Sequence, residues 1–204
     1  MFGLGGHRKV PAVLFGGRQS RPRHPPPAAN SGWRHRHNTC PPALRGRTDR
    51  AIIGLFGGNL LELGQFLYRN DNFYLLLAGE PRRAHAFLDR AVALHLANLE
   101  RFLGAVGPNI DVVLFGDDLG MQSGPQISPR MYREFFFPRQ QVMWRQVRNL
   151  APQVRIMLHC CGGVRELLPG LIEAGLDAIN PVQITCKGMD PAGLKRDFGA
   201  QLSF

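Results

Sequence analysis

Short runs of apolar residues along the chain predict buried strands. The clearest run, residues 110–115, is rich in β-branched side chains and is bounded by turn residues. Three more runs of this kind follow at residues 154–159, 177–180 and 201–204. An earlier apolar stretch, residues 51–68, is broken by Gly57 and Gly58. It predicts a loop followed by a helix from about Leu60.

The segments between these runs have the spacing of helices. Residues 82–105 repeat apolar side chains at intervals of three and four, which predicts a long amphipathic helix. Ser128 followed by Pro129 predicts a helix start, and that helix should run to about Leu150 with a kink at Pro138. Two more helices are predicted at residues 165–174, before Gly175, and after Asp190-Pro191 to about Phe198, before Gly199.

Strands and helices therefore alternate with short turns, which is typical of parallel strands joined by crossover helices. Four strands and three intervening helices predict an α/β fold that is part of a TIM (β/α)8 barrel. A Rossmann-like sheet is the alternative, but no G-x-G-x-x-G follows any strand. The last predicted strand ends at Phe204 with no helix to follow it. We therefore expect the parent protein to continue and this chain to be a truncated barrel.

Charge divides the chain into two parts. Residues 1–48 contain nine Arg or Lys and no Asp or Glu, whereas residues 49–204 contain sixteen basic and fifteen acidic residues. The remainder of the chain carries a net charge of +1, and nine of the ten net positive charges thus belong to the first part. Its Arg, Pro, Gly and Ala without any period predict a disordered basic tail, or a stretch that is not native coding sequence. Residues 49–204 are the predicted barrel domain.

The four cysteines do not form the pattern of a disulfide framework. They are Cys40, Cys160, Cys161 and Cys186. Adjacent thiols beside a histidine favour a metal or redox site in a reducing compartment. No apolar run approaches the roughly 20 residues that cross a bilayer. We expect a cytoplasmic protein with no membrane partner, and the nearly neutral charge of residues 49–204 argues against nucleic acid as a ligand.

A histidine and a cysteine stand at the end of the second predicted strand. His159 and Cys161 are two residues apart, so their side chains should lie on one side of the strand, with Cys160 turned away. Imidazole and thiolate are ligands that zinc prefers, and the glycines that follow allow the backbone to turn tightly. Two ligands do not complete a site, so a third must come from elsewhere. The alternative is a buried histidine beside two ordinary core thiols.

Further polar residues follow the strands, at the edge where barrels carry their chemistry. Asp117 and Asp118 follow residues 110–115 after one glycine, Gly116. They are candidates for acid/base catalysis or cation binding, or else for a solvated turn. Cys186 is a weaker candidate ligand. The residues that we expect to touch a small-molecule substrate are Gln122, Gln126, Asn180 and Gln183.

In order, these segments resemble the uroporphyrinogen decarboxylase superfamily. The resemblance is carried by F-G-D-D-L-G-M-Q-S-G-P-Q-I-S-P-R-M-Y-R-E-F-F-F-P-R, by M-L-H-C-C-G-G-V-R-E-L-L-P-G-L-I-E-A-G-L-D-A-I-N-P-V-Q and by G-M-D-P-A-G-L-K-R-D-F-G. It covers about residues 49–204 and is dense over 111–204. It implies a (β/α)8 barrel with Asp117 at a strand-end aspartate of the family.

The superfamily has two main chemistries, and the resemblance implies one or the other. Its methyltransferase branch moves methyl groups between a corrinoid and a thiol, and carries a His-x-Cys pair and a later cysteine on zinc. His159 and Cys161 match that pair, and the later cysteine would fall just past Phe204. The decarboxylase branch acts on uroporphyrinogen III in porphyrin and heme biosynthesis; its arginine-rich substrate loop and early aspartate motif are absent here. The resemblance therefore favours a zinc methyltransferase, with a corrinoid protein as partner.

Two hypotheses in which the chain is not an active enzyme also stay open. The chain could be an inactive fragment, because an incomplete barrel has open strand edges that favour dimerisation or aggregation. It could also be a binding module whose basic tail holds nucleic acid, in which case binding should weaken steeply with salt.

Overall fold

The structure, a computed structural model, describes residues 41–204. Four strands form one sheet in the order β1-β2-β5-β6, all parallel, and β3 and β4 form a separate antiparallel hairpin. The strands are β1 (Ile53–Gly57), β2 (Val112–Gly116), β3 (Gly120–Met121), β4 (Gly124–Pro125), β5 (Arg155–His159) and β6 (Ala178–Asn180). The larger sheet confirms the predicted strands at residues 110–115, 154–159 and 177–180. The predicted strand at 201–204 is reduced to a parallel bridge between Ser203 and Ala178.

Helices connect consecutive strands of the sheet. They are α1 (Pro41–Arg45), α2 (Leu61–Tyr68), α3 (Asn70–Gly79), α4 (Pro81–Val106), α5 (Pro129–Met131), α6 (Phe137–Leu150), α7 (Leu168–Ala174) and α8 (Pro191–Phe198). Shorter helical turns are the 3-10 segments Gly107–Asn109 and Arg165–Leu167 and the π-helical segment Tyr132–Phe136. None of the described helices is long and apolar enough to cross a membrane.

The chain order of the strands identifies the fold as part of a (β/α)8 barrel. Neighbouring strands in the sheet are also consecutive in the chain, apart from the hairpin, and the order never reverses. A Rossmann-like sheet would reverse its strand order at a switch point. The predicted α/β fold, part of a (β/α)8 barrel, is therefore confirmed, and the Rossmann-like alternative does not apply.

The core lies between one face of the sheet and the helices. Side chains alternate along each strand, and the helix-facing set is almost completely buried: Phe56, Val113, Phe115, Ile156, Leu158 and Ile179. On the opposite face of β1, Ile53 and Leu55 are 46% and 53% exposed. This second face corresponds to the interior of a barrel.

Two aspartates anchor the beginnings of the strands by the same arrangement. Asp111 accepts hydrogen bonds from the Ile52 backbone N–H at 2.7 Å and from the Arg45 guanidinium at 2.7 Å. Asp177 likewise accepts from Ile156 N–H at 2.7 Å and pairs with Arg148. The N–H of Ile52 and then Arg45 lower the pKa of the Asp111 carboxyl below its ordinary value.

The predicted helix boundaries agree with the capping chemistry. The Ser128 side chain accepts a hydrogen bond from Met131 N–H, and Gly175 ends α7 in the left-handed region at φ 111°. The segment opened by Ser128 is not uniform, because π-helical residues Tyr132–Phe136 stand directly before α6. The kink expected at Pro138 stays a prediction.

Three features differ from the sequence prediction. Residues Ile53–Gly57, expected as a loop, form β1, because β2 pairs with them along most of their length. The β3–β4 hairpin was not predicted. Pro41–Arg45 is helical, although the whole of residues 1–48 was expected to be an irregular tail. Residues 1–40 of that predicted tail lie outside the described residues.

Candidate metal centre

The candidate site lies where β2, β5 and β6 end. Gly116 is in register with His159, and His159 with Asn180. Because the carboxyl ends of parallel strands meet at one edge of a sheet, the residues that follow each strand come together there. The edge thus carries the polar residues that the sequence singled out.

His159 and Cys161 lie on the same side of this edge. The His159 Nε2 atom is 3.6 Å from the Cys161 sulfur. Cys160 is turned into the core, fully buried, and its sulfur accepts a hydrogen bond from Leu119 N–H at 3.2 Å. Burial raises the pKa of the Cys160 thiol, as expected for a packing residue. The predicted orientation of all three side chains is confirmed.

Asp118 supplies the third candidate ligand. One ligand atom from each of Asp118, His159 and Cys161 lies within 4.8 Å of the other two. The carboxylate is held in place because its Oδ1 atom accepts the Cys161 backbone N–H at 2.7 Å. The sequence prediction sought the third ligand elsewhere, past Phe204, and gave Asp118 as a candidate for acid/base catalysis or for cation binding. The structure brings Asp118 to the His–Cys pair.

The distances suit a tetrahedral metal ion. Zinc bonds of about 2.0–2.3 Å place neighbouring ligand atoms roughly 3.4–3.8 Å apart in a tetrahedron. The His159–Cys161 separation of 3.6 Å lies in that range. The Asp118 carboxylate oxygen lies within 4.8 Å of both atoms, so a movement of at most about 1 Å brings it to the third corner.

Asp117 faces away from this cluster. Its side chain is only 2% exposed. Its two oxygens accept hydrogen bonds from the backbone N–H groups of Leu60, Leu61 and Glu62 at 3.0–3.1 Å. It therefore caps the first turn of α2, which has no capping side chain of its own. Its predicted catalytic role stays a prediction.

Burial and hydrogen bonding act on Asp117 in opposite directions. Burial is the main cause that raises the pKa of its carboxyl to about 7, and the nearby Glu62 carboxylate acts in the same direction. The three backbone N–H groups favour the ionised form and lower the pKa. The net result is a carboxyl that changes its charge near neutral pH.

Tight backbone packing explains the glycines that follow the His–Cys motif. Gly162 has φ 88°, and a Cβ on it would lie 2.3 Å from the Gly120 carbonyl carbon. Met121 and Gly163 form an antiparallel bridge at the same place. Only glycine at position 162 allows the β3–β4 hairpin to approach the loop this closely. The prediction that glycines here permit a tight turn is confirmed.

Two of the four residues predicted to contact substrate form hydrogen bonds with the segment that carries the candidate ligands. The Asn180 side-chain carbonyl oxygen is 3.1 Å from His159 Nδ1. The Gln183 side-chain carbonyl oxygen accepts the Gly162 N–H at 2.9 Å. Both residues border the candidate metal centre, but these oxygens are engaged within the chain.

Gln126 belongs to an internal network. Its side-chain carbonyl oxygen accepts from Gln65 at 2.9 Å and from the Tyr74 hydroxyl at 2.5 Å, and its amide donates to the Asp118 carbonyl at 2.6 Å. Gln126 thus connects α2 and α3 to the loop that carries Asp118. Its substrate contact stays a prediction.

Gln122 and Cys186 lie beside each other in the neighbouring loops. Gln122 is exposed, and its side-chain amide donates to the Thr185 carbonyl at 2.6 Å; its substrate contact stays a prediction. The Cys186 thiol is 4% exposed and donates to the Gln122 side-chain carbonyl oxygen at 3.4 Å. Cys186 is not among the three residues of the described part whose ligand atoms cluster.

Glu62 is a site residue that the sequence prediction missed. Its Oε2 atom accepts from the Asn59 amide at 2.5 Å and from Asp118 N–H at 3.2 Å. Burial, followed by the charge of Asp118 and then that of Glu62, raises the pKa of the Cys161 thiol. A prediction of β1 as a strand would have found Glu62, because it follows that strand at the same edge.

Comparison with known proteins agrees with this architecture. The family model described as Uroporphyrinogen decarboxylase (URO-D) matches residues 52–186. Among solved structures, the chain is similar to a methyltransferase from Methanosarcina mazei, with a TM-score of 0.53 and 19% sequence identity. That similarity covers 68% of this chain and 39% of the methyltransferase, and it shows a shared fold. No curated protein sequence matches the chain.

Proposed function

The chain belongs to the uroporphyrinogen decarboxylase family, and on that premise we propose that it is a zinc-dependent enzyme of the methyltransferase type. The proposed reaction moves a methyl group between a corrinoid, carried by a partner protein, and a small thiol. The chain spans 39% of the length of the Methanosarcina methyltransferase, so the activity of a whole enzyme is part of the proposal.

One observation carries the proposal: the ligand atoms of Asp118, His159 and Cys161 lie within 4.8 Å of one another. An imidazole nitrogen, a sulfur and a carboxylate oxygen form a ligand set that suits zinc better than magnesium or calcium. Three protein ligands leave the fourth tetrahedral position open, which is the arrangement of catalytic rather than structural zinc.

The electrostatics of the site favour a cation over a polyanionic substrate. Glu62 and Asp118 lie close together at the site, and within residues 41–204 neither carboxylate forms an ion pair or hydrogen bond with an Arg or Lys side chain. A tetrapyrrole that bears several carboxylates would be repelled by this group of charges. A divalent ion would be attracted by it. This difference supports the methyltransferase reading over the decarboxylase reading.

Zinc in this position would lower the pKa of a bound thiol and hold it as the nucleophilic thiolate. A corrinoid would supply the methyl group: transfer to the thiol would form a carbon–sulfur bond as the carbon–cobalt bond breaks, and the electron pair of the broken bond would stay on cobalt. The thiol proton must leave the site. Glu62 is suited to accept it, because its Oε1 atom makes no hydrogen bond within the described residues.

The experiment measures zinc and methyl transfer in the 204-residue protein. We expect about one zinc ion per chain. His159→Ala and Cys161→Ala should each weaken zinc binding at least about tenfold, because each removes a ligand. Cys160→Ser is the matched control: it changes the adjacent thiol, which faces the core, and should retain zinc.

Activity is then tested with methylcobalamin and a small thiol, with the thioether measured by mass spectrometry. Formation of thioether that requires zinc and His159 supports the proposal. Equal zinc content in the parent and both ligand variants would overturn it. Release of CO2 from a carboxylated tetrapyrrole without zinc would favour the decarboxylase instead.

A further inference from the structure

The two ring nitrogens of His159 face different partners. Nε2 is directed to the Cys161 sulfur at 3.6 Å, on the side of the ligand cluster. Nδ1 is directed to the Asn180 side-chain carbonyl oxygen at 3.1 Å. His159 is an exposed residue, so burial contributes little to the orientation of its ring. Its orientation therefore depends on these two polar contacts.

The position of Asn180 is determined by the sheet. His159 and Asn180 are register partners at the ends of β5 and β6. The Asn180 backbone carbonyl also accepts the Cys160 N–H at 2.8 Å. These contacts continue the strand pairing past His159 and hold the Asn180 side chain beside the ring.

A carbonyl oxygen can only accept a hydrogen bond, so Nδ1 must carry the ring proton. The Nε2 lone pair is then free to bind a cation. In the other tautomer, the Nε2 proton would occupy the metal position, and two lone pairs would face each other at Asn180. A second group that fixes the tautomer of a metal-binding histidine is a general feature of such sites.

We infer that Asn180 is a positioning residue that holds His159 in the Nδ1-protonated tautomer, with Nε2 directed at the metal. The inference rests on the proposed metal function, and it assigns Asn180 a role different from substrate contact. Asn180 acts through His159 and touches neither substrate nor metal. Its effect is therefore present in the metal-free protein.

The first measurement is made on the metal-free protein. Long-range 15N–1H NMR of the His159 ring, at about pH 8.5 where an ordinary imidazole is neutral, reports which nitrogen carries the proton. We expect the Nδ1-protonated form in the parent protein. Asn180→Leu keeps a similar volume without an acceptor and should lose this preference. Asn180→Asp keeps an acceptor oxygen and should retain it.

The second measurement is zinc affinity, determined by competition with a chromophoric chelator. Asn180→Leu should weaken binding by about 10- to 100-fold, the usual effect of removing such a partner. Asn180→Asp should stay within a few-fold of the parent. Asn149→Ala, an exposed asparagine at the far end of α6, is the control for asparagine replacement and should leave both measurements unchanged. Circular dichroism verifies that each variant is folded.

The outcomes separate the two proposals. If Asn180→Leu retains both the Nδ1-protonated tautomer and the parent zinc affinity, the role of Asn180 is overturned, although loss of zinc in His159→Ala would still support the metal centre. If His159→Ala and Cys161→Ala bind zinc like the parent, the metal proposal fails. The tautomer measurement on the metal-free protein decides the role of Asn180 even then.

Discussion

Replacing Asp117 by alanine should destabilise the fold by an amount that depends on pH. The carboxyl is buried at the end of β2, and three backbone N–H groups at the start of α2 donate to it. Each N–H that loses its partner costs about 1 kcal/mol or more when it is buried. We therefore expect Asp117→Ala to lower the free energy of unfolding by about 3 kcal/mol at pH 5.

The pH dependence follows from the raised pKa of Asp117. The carboxyl has a pKa of about 7 in the folded protein, against an ordinary value of 3.8. Between about pH 4 and 7, Asp117 holds a proton in the folded chain that it has released in the unfolded chain. The stability that protonated Asp117 contributes is therefore fully present below about pH 4 and is lost as the pH rises through about 7. The difference between parent and variant should therefore narrow by at most about 1.4 kcal/mol per pH unit over that window.

The assay is urea unfolding followed by the fluorescence of the buried Trp144, at pH 5, 6, 7 and 8. Asp190→Ala is the control: the Asp190 side chain caps α8 through one bond to Gly193 N–H at 2.7 Å, and its removal should cost about 1 kcal/mol. A loss below about 0.5 kcal/mol for Asp117→Ala at pH 5 would refute the capping role. If the difference in the free energy of unfolding between parent and variant widens from pH 5 to 7, burial is not the main influence on the pKa of Asp117.

Two further predictions concern the thiols and the internal network. Iodoacetamide should modify Cys161 before Cys160 in the native protein, because Cys160 is fully buried. Added zinc should slow the reaction at Cys161. Equal modification rates for the two thiols in peptide mapping would contradict this prediction. Gln126→Leu should lower the free energy of unfolding by about 1–3 kcal/mol, because Gln65 and Tyr74 lose their shared partner. An unchanged urea midpoint would show that water replaces Gln126 without cost.

Much of the fold could be predicted because its signals are local. The spacing of apolar residues in α4 and the cap at Ser128 depend only on neighbouring residues. β1 was missed for the opposite reason: its short run contains glycines at both Gly54 and Gly57, and pairing with β2 more than 50 residues away makes it a strand. Distant pairing has no signal in a short window of sequence.

Only part of the candidate metal centre could be predicted, again because only local signals are visible in the sequence. The two-residue alternation was sufficient to place His159 and Cys161 together. The approach of Asp118 requires the register between β2 and β5, which the sequence does not reveal. The role of Asp117 depends on α2, since the helix has no local cap and its N–H groups find a carboxyl from another strand end. Polar residues at a strand end can therefore be recognised before their partners can.

Side-chain alternation explains why adjacent residues at the carboxyl ends of β2 and β5 have different roles. β2 and β5 are paired up to Gly116 and His159, so the two pairs of residues that follow, Asp117-Asp118 and Cys160-Cys161, continue side by side. In each pair the first residue is buried against the helices and the second is half-buried at the candidate metal centre. Because side chains alternate along each of the two paired strands, two adjacent residues of the same type point to opposite sides. One of them packs in the core, and the other becomes a candidate metal ligand. It follows that Asp117 cannot replace Asp118, nor Cys160 replace Cys161, although each pair shares the same chemistry.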